Sequence, residues 1–337
     1  GAACMTTTAV RLHPAWDDPD ATVALIRDAG PFWPLANYAG NDAELAAIGG
    51  PRTGVVTPPW FRQDFALGGA PLVDGADVLL ANRHFADGAR AVYGPDAVVR
   101  PTSVYVNLMG PTPFAFPAHL DVPAFRGFTR ADHPIWLLKV MMASGLFERW
   151  RTRIATAVSW FYDGPGGEFH YWPAGPDEAE RLESPPYDNV AVVADNEATF
   201  HGVGRLGPPE ARMTEGVTTA TRLVRGDGGW DVCDPEGAAV AHLADAEVRI
   251  TVSWKADVLA DEAEARRVDA GADHLDLDRV VDRFRADLAS RGVTVRRPDD
   301  PHADEAWTAA LADAYPERAP AIRWRGGADR RRRRRPR

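Results

Sequence analysis

The stretch Val98–Gly110, VVRPTSVYVNLMG, alternates in a period of two: Thr102, Val104, Val106 and Leu108 fall on one face, Tyr105 and Asn107 on the other. Successive side chains of a strand point to opposite sides, so this alternation predicts a strand with one apolar face and one polar face. Short stretches of the same kind follow around His119 and at Ala155–Tyr162, Glu168–Trp172, Asn189–Ala194, Thr218–Val224 and Val248–Trp254. They are interrupted only by PIWLLKVMMASGLFERW, which is long and apolar enough for a buried helix. Working outward, helices are expected at Asp20–Ala29, Asp42–Ile48 and Val78–Val92, separated by Pro- and Gly-rich connections such as TGVVTPPW. Beyond Ala256, Leu277, Val280, Val281, Phe284 and Leu288 share one face of an amphipathic helix, and a second helix is expected at Asp304–Ala314. The expected fold class is mainly β with flanking helices, a sandwich or barrel buttressed at both ends of the sequence. The expected divisions are a mixed helical region over 5–96, a core over 97–256, a helical region over 257–325 and a disordered basic tail over 326–337.

Composition narrows the function. With 337 residues, 45% hydrophobic and 26% charged, the chain suits one large domain or two modest ones. No stretch approaches the roughly 18 consecutive apolar residues of a membrane span, and the start lacks the layout of a secretory signal, so a cytoplasmic protein without membrane contact is expected. Cys4 stands in GAAC ahead of Met5, where residues 1–4 read as a cloning remnant, and Cys233 is the other cysteine, which excludes a disulfide framework and a cysteine-rich zinc site. The net charge is −10, but without the seven arginines of Arg330–Arg337, 31 basic side chains face 48 acidic ones and the balance is −17. An acidic body repels phosphate backbones, so nucleic-acid binding would rest on the Arg-rich tail alone. No phosphate loop, dinucleotide fingerprint or nucleophile elbow is present. Nothing in the sequence specifies an oligomeric state.

The leading chemical motif is His119-Leu-Asp121, because residues two apart on a strand point the same way and can converge on one metal ion. The spacing is cheap: His274-Leu-Asp276 and His302-Ala-Asp304 repeat it. Both repeats open expected helices, where side chains two apart diverge by about 200°, and they read as helix-start polar groups. Two histidines and one carboxylate on one side of an octahedral ion form the facial triad of non-haem Fe(II) oxygenases. The second histidine is sought in His201, which follows the apolar strand NVAVVADN, with His170 in GGEFHYW as its competitor.

Taken in order, VYVNLMG, HLDVP, FYDGPGGEFHYWP, NVAVVADNEATFHGVG and VRITVSW, spanning Tyr105 to Trp254, resemble the core of the Fe(II)/2-oxoglutarate-dependent oxygenases. The resemblance implies a double-stranded β-helix (jelly-roll, cupin-like) core, with Fe(II) held by His119, Asp121 and His201. It implies 2-oxoglutarate as co-substrate, its far carboxylate on Arg249 with Thr251 and Ser253 on the same strand face, and Tyr105 and Asn107 bonding it or lining the pocket. A planar guanidinium grips a carboxylate through two parallel bonds, which suits Arg249 to that role. O2 is the remaining reactant, and hydroxylation with release of succinate and CO2 is the favoured implied reaction, with desaturation, epoxidation or ring closure open as outcomes of the same chemistry. Asp121 fills the position that a halogenase leaves to halide. The 48 residues between His201 and Arg249 are a longer gap than in many members, and the sequence there reads as an inserted hairpin at about 215–245 with a Gly-Asp-Gly-Gly turn. Arg205 and Arg222 therefore stay rival anchors.

For the substrate, the expected pocket wall draws on Phe116, Arg126, Trp160, Tyr162 and Trp172, with Phe114, Phe125 and Trp136 as further aromatic candidates and Arg153 as a further partner for a carboxylate. A small-molecule substrate, a metabolite or natural-product intermediate, is the favoured partner. A prolyl-type protein hydroxylase, an iron enzyme that ignores 2-oxoglutarate, and a non-catalytic binding protein are the alternatives.

Overall fold

The computed structural model describes residues 9–38 and 56–322, so Cys4, the helix expected at Asp42–Ile48 and the arginines of Arg330–Arg337 lie outside the described residues. The strands in chain order are β1 (Val10–Leu12), β2 (Trp33–Pro34), β3 (Trp60–Leu67), β4 (Ala70–Pro71), β5 (Val98–Met109), β6 (Phe116–His119), β7 (Ala124–Phe125) and β8 (Arg151–Phe161). They continue as β9 (Phe169–Trp172), β10 (Arg181–Glu183), β11 (Ala191–Ala194), β12 (Phe200–Val203), β13 (Arg222–Gly226), β14 (Gly229–Cys233), β15 (Ala239–Ala244) and β16 (Arg249–Leu259). The helices are α1 (Pro19–Asp28), α2 (Ala76–Leu80), α3 (Arg83–Tyr93), α4 (Ile135–Ser144), α5 (Glu262–Asp269), α6 (Leu277–Ser290) and α7 (Glu305–Ala314).

The protein is mainly β, and its sheets are antiparallel. A nine-stranded sheet runs β1-β11-β8-β16-β5-β3-β2, with β4 on β3 and β7 on β8; a four-stranded sheet runs β10-β9-β12-β6. From β5 onward the chain moves back and forth between them: β5 to the large sheet, β6 to the small, β8 to the large, β9 and β10 to the small, β11 to the large, β12 to the small, β16 to the large.

Period-two alternation decides what each face of the large sheet meets. Val104, Val106 and Leu108 of β5, Ala155 and Ala157 of β8, and Ile250, Val252 and Trp254 of β16 pack in one core with Ile26 of α1, Leu79 of α2 and Phe85 of α3. Trp254 is fully buried there, and its indole N–H donates to the Leu80 carbonyl at 2.8 Å, so its one polar atom is paired. The opposite face turns toward the small sheet. The register places Thr251 between Asn107 and Trp160, and Ser253 between Tyr105 and Val158.

The structure departs from the sequence reading in three places. The single helix expected at Val78–Val92 is two, because Asn82 stops one and starts the next: its side-chain oxygen accepts from the N–H groups of His84 and Phe85, and its amide donates to the Ala15 carbonyl. The N-terminal region contributes strands as well as helices, with β3 pairing between β5 and the short β2 and β4. The segment between β12 and β16 is a three-stranded meander, β13-β14-β15, whose Leu223, Trp230, Val232 and Leu243 join the helix-side core beside Phe32. A second core is formed by α4, α6 and α7 through Leu137, Met141, Phe284, Leu288, Trp307 and Leu311. Asp276 and Asp304, the acids of the two repeated His-x-Asp motifs, are the N-caps of α6 and α7. Among the described residues no helix is long and apolar enough to cross a membrane.

Candidate metal and co-substrate site

β6 and β12 are antiparallel neighbours, and their register sets His119 directly opposite His201. Their rings lie 4.4 Å apart, centroid to centroid. Asp121 stands just past the end of β6, where its backbone N–H donates to the Asn196 carbonyl at 2.9 Å. Its Oδ1 is 3.4 Å from His201 Nε2 and 3.9 Å from His119 Nε2. The ligand atoms of the three residues all lie within 4.8 Å of one another, and among the described residues no other group of three histidine, cysteine or acidic side chains does so.

Both imidazoles are held in the tautomer a metal needs. His119 Nδ1 lies 3.0 Å from the Pro117 carbonyl and His201 Nδ1 lies 2.9 Å from that of Thr199. A carbonyl can only accept, so each Nδ1 carries a proton and it is the Nε2 of each ring that is turned toward Asp121. Burial, then the nearby His201, brings the His119 pKa down to about 4. Burial pushes the Asp121 carboxyl up, but Lys255 and then His201 outweigh it and hold the group well below the usual carboxylate range. A deprotonated acid and two imidazoles that present Nε2 make up the donor set of a divalent transition metal.

The three residues line a cavity of about 200 Å³ between the sheets, and Arg249 lines it too. Arg249 is 1% exposed. Its Nε donates to the Gly167 carbonyl at 2.8 Å and one terminal nitrogen, Nη1, to Thr251 Oγ1 at 2.6 Å. Its Nη2 has no partner among the described residues. Gly167 has φ +75°, and a Cβ there would approach the Arg249 side chain to 3.0 Å and Leu206 Cδ1 to 2.6 Å, so glycine is required for the guanidinium to reach this carbonyl. Tyr187 donates to the same carbonyl at 2.9 Å and stacks on Trp160, bracing the arrangement. Three further buried polar atoms of residues in the cavity wall lack a partner among the described residues: Asn107 Oδ1, Trp60 Nε1 and Trp160 Nε1. Buried polar groups are rarely left so, and an unspent guanidinium nitrogen suits a carboxylate.

Tyr105, Asn107, Phe116, Trp160, Thr251 and Ser253 are all in the cavity wall. Arg126, Tyr162 and Trp172 are not in it. Arg126 donates to the Arg149 carbonyl and pairs with Asp273, and it borders a different cavity together with Phe125 and Arg153. Tyr162 donates to the Pro165 carbonyl. Trp172 packs with Ala118 and Phe200. His170 holds Glu180 at 2.7 Å, and Arg222 pairs across the meander with Cys233. Neither they nor Arg205 belong to the cavity wall.

Several contributors escape the sequence reading. Trp60 and Arg62 of β3 line the cavity, with the Arg62 guanidinium over the Tyr105 ring at 3.9 Å and on Asp64 at 2.7 Å. Lys255 Nζ lies 2.6 Å from Asp121 Oδ2. It continues the alternation of Arg249, Thr251 and Ser253 by one more step, which was the available signal. Behind it, Arg151 grips Asp195 and lies 3.5 Å from Glu197, whose side chain is wholly buried. Burial drives the Glu197 carboxyl well above the usual range, against the opposing charges of Lys255 and Arg151.

No protein-family model and no curated protein matches the chain. Solved structures similar to it include a 2OG-Fe(II) oxygenase family oxidoreductase from Burkholderia pseudomallei, at 13% identity over 74% of this chain and 84% of that one, with a TM-score of 0.38. A prolyl hydroxylase from Trichoplax adhaerens, in complex with a hypoxia inducible factor peptide, is 11% identical over 77% of this chain and 87% of that one, with a TM-score of 0.39. HygX from Streptomyces hygroscopicus, with nickel, 2-oxoglutarate and hygromycin B bound, is 11% identical over 75% and 83%, with a TM-score of 0.34.

Proposed function

We propose that this protein is an Fe(II)- and 2-oxoglutarate-dependent oxygenase that hydroxylates a C–H bond of a small molecule, with residues 97–256 as its catalytic core. The observation that carries the reading is the pairing, in one cavity, of the His119–Asp121–His201 cluster with a buried guanidinium that has a nitrogen to spare. The strand path supports it: a chain that visits the orders β11-β8-β16-β5 and β10-β9-β12-β6 alternately is consistent with an eight-stranded double-stranded β-helix, the core we propose.

His119, Asp121 and His201 would hold the iron, and Arg249 would hold the far carboxylate of 2-oxoglutarate through Nη2. When bound, iron and co-substrate supply O2-dependent oxidation of a C–H bond, with succinate and CO2 as co-products. The chain's own part is position and dryness. Nδ1 bonds to Pro117 and Thr199 fix both imidazole planes before any metal arrives. Thr251 and Gly167 orient the guanidinium, so little freedom is lost when a carboxylate meets it. Ser253, on the same strand, and Asn107, on the neighbouring β5, line the same cavity as further hydrogen-bonding groups. Trp60, Phe116, Trp160 and Phe169 form an apolar wall that keeps water from the reacting atoms, and Phe116 packs edge-on against His119 at 5.0 Å. With about 200 Å³ to share with the co-substrate, the cavity suits a small molecule or one projecting group of it.

The test is succinate production from 2-oxoglutarate by the iron-loaded protein in air, measured beside His201→Ala and Arg249→Gln. Slow succinate release, abolished by the first change and lowered by the second, is expected. Wild-type protein that forms no more succinate than the His201→Ala variant would overturn the reading.

A further inference from the structure

The two oxygens of Asp121 are not equivalent. Oδ1 faces His201 Nε2 at 3.4 Å and His119 Nε2 at 3.9 Å, the side on which the two Nε2 atoms converge. Oδ2 faces away from them to Lys255 Nζ at 2.6 Å. Both side chains are largely buried, at 18% and 15% exposure, so the pair is shielded from competing water. The ammonium is also stationary at its root, because β16 is hydrogen-bonded on both sides and Lys255 is registered between Ser103 of β5 and Thr156 of β8.

We infer that Lys255 is a positioning residue that restricts Asp121 to a single ligand oxygen, and so keeps one coordination position open for 2-oxoglutarate. The inference rests on the oxygenase reading above. An octahedral ion offers six positions. Three protein atoms leave three, which is the number that a two-atom chelator and O2 require together. A carboxylate that bound through both oxygens would leave two. In a dry site an unpartnered Oδ2 turns to the nearest cation, and without Lys255 that cation is the metal. A lysine suits the task better than an arginine, since a single ammonium caps one oxygen whereas a guanidinium fork spans both.

The test uses Co(II) as the probe metal in place of iron and 2-oxoglutarate as the probe ligand, followed through the visible d–d spectrum of the loaded full-length protein. Lys255→Met is expected to bind Co(II) at least as tightly as wild type, since a positive charge beside the cation has gone. Its affinity for 2-oxoglutarate is expected to fall by about tenfold or more, on the scale found for residues that orient metal ligands, with an altered d–d spectrum before 2-oxoglutarate is added. Lys255→Gln, which keeps an N–H donor without the charge, is expected to fall between. A lysine that merely supported the fold would, when replaced, weaken metal and 2-oxoglutarate binding together, and that parallel loss would overturn the inference. So would 2-oxoglutarate binding by Co(II)-loaded Lys255→Met with wild-type affinity. If Lys255→Met does not fold, wild-type affinity in Lys255→Gln overturns it instead. Failure of the oxygenase reading looks different: wild-type protein takes up no Co(II), or takes it up equally with His201→Ala.

Discussion

His119 and His201 are directly paired residues of adjacent antiparallel strands, and each ring is tied through Nδ1 to the carbonyl two residues before it. The bonds are repeats of one local device, in which a strand's own backbone fixes the ring it presents. The two Nε2 atoms are therefore organised in the first place by the backbones of β6 and β12 themselves.

Replacing His201 removes one of three donors, a buried ring that borders the cavity on one side. His201→Ala is expected to lose divalent-metal binding by more than tenfold while unfolding in urea at nearly the wild-type midpoint in metal-free buffer. Metal titration by calorimetry, with the urea curve alongside, checks both halves.

Arg249 is predicted to govern 2-oxoglutarate and not the metal. Arg249→Gln should bind Co(II) or Fe(II) as wild type does and bind 2-oxoglutarate about 100-fold more weakly, the loss expected for one or two charge-assisted hydrogen bonds in a buried site. Titrating 2-oxoglutarate into metal-loaded protein separates the two effects.

The Arg151–Asp195 pair is a buried ion pair, with side chains 2% and 8% exposed. Arg151→Met leaves Asp195 uncompensated and should destabilise the protein by about 3–5 kcal/mol. Chemical denaturation at pH 7 measures it, and a loss below 1 kcal/mol would show the pair to be energetically idle.

Glu197 gives a pH signature. Burial raises its carboxyl well above the ordinary 4.5, so the folded chain keeps a proton that the unfolded chain releases. Stability from this group is full below about 4.5 and declines as the pH rises above it. Glu197→Gln removes the ionisable group, so the variant's stability relative to wild type should increase between pH 5 and pH 8, read from urea midpoints of metal-free protein.

Much of the site is legible in the sequence because its groups lie on strands whose alternation shows. Arg249, Thr251 and Ser253 share a face by counting, and the same count reaches Lys255, but only the folded chain shows that this face meets Asp121 from another sheet. Aromatic residues divide less cleanly. Trp160 and Tyr162 occupy the same face of neighbouring positions, yet Trp160 reaches the cavity while Tyr162 turns to the Pro165 carbonyl beyond the strand end. Alternation gives the face of a strand and not the position along it at which the cavity stops. Helix boundaries fail for a related reason: Asn82 caps α3 and simultaneously bonds Ala15, a contact 67 residues away that no local window contains. The meander between β12 and β16 is legible at its Gly-rich turn, but its third strand, β15, owes its place to Leu243 packing in the helix-side core.

The most direct measurement is an anaerobic titration of Fe(II)-loaded protein with 2-oxoglutarate, watching for the visible metal-to-ligand charge-transfer band that forms when the keto acid chelates the iron. A saturable band in the wild type, absent in His201→Ala and requiring much higher 2-oxoglutarate in Arg249→Gln, is the predicted result. Iron-loaded wild type that develops no band at any 2-oxoglutarate concentration would contradict the assignment of this cavity to Fe(II) and 2-oxoglutarate.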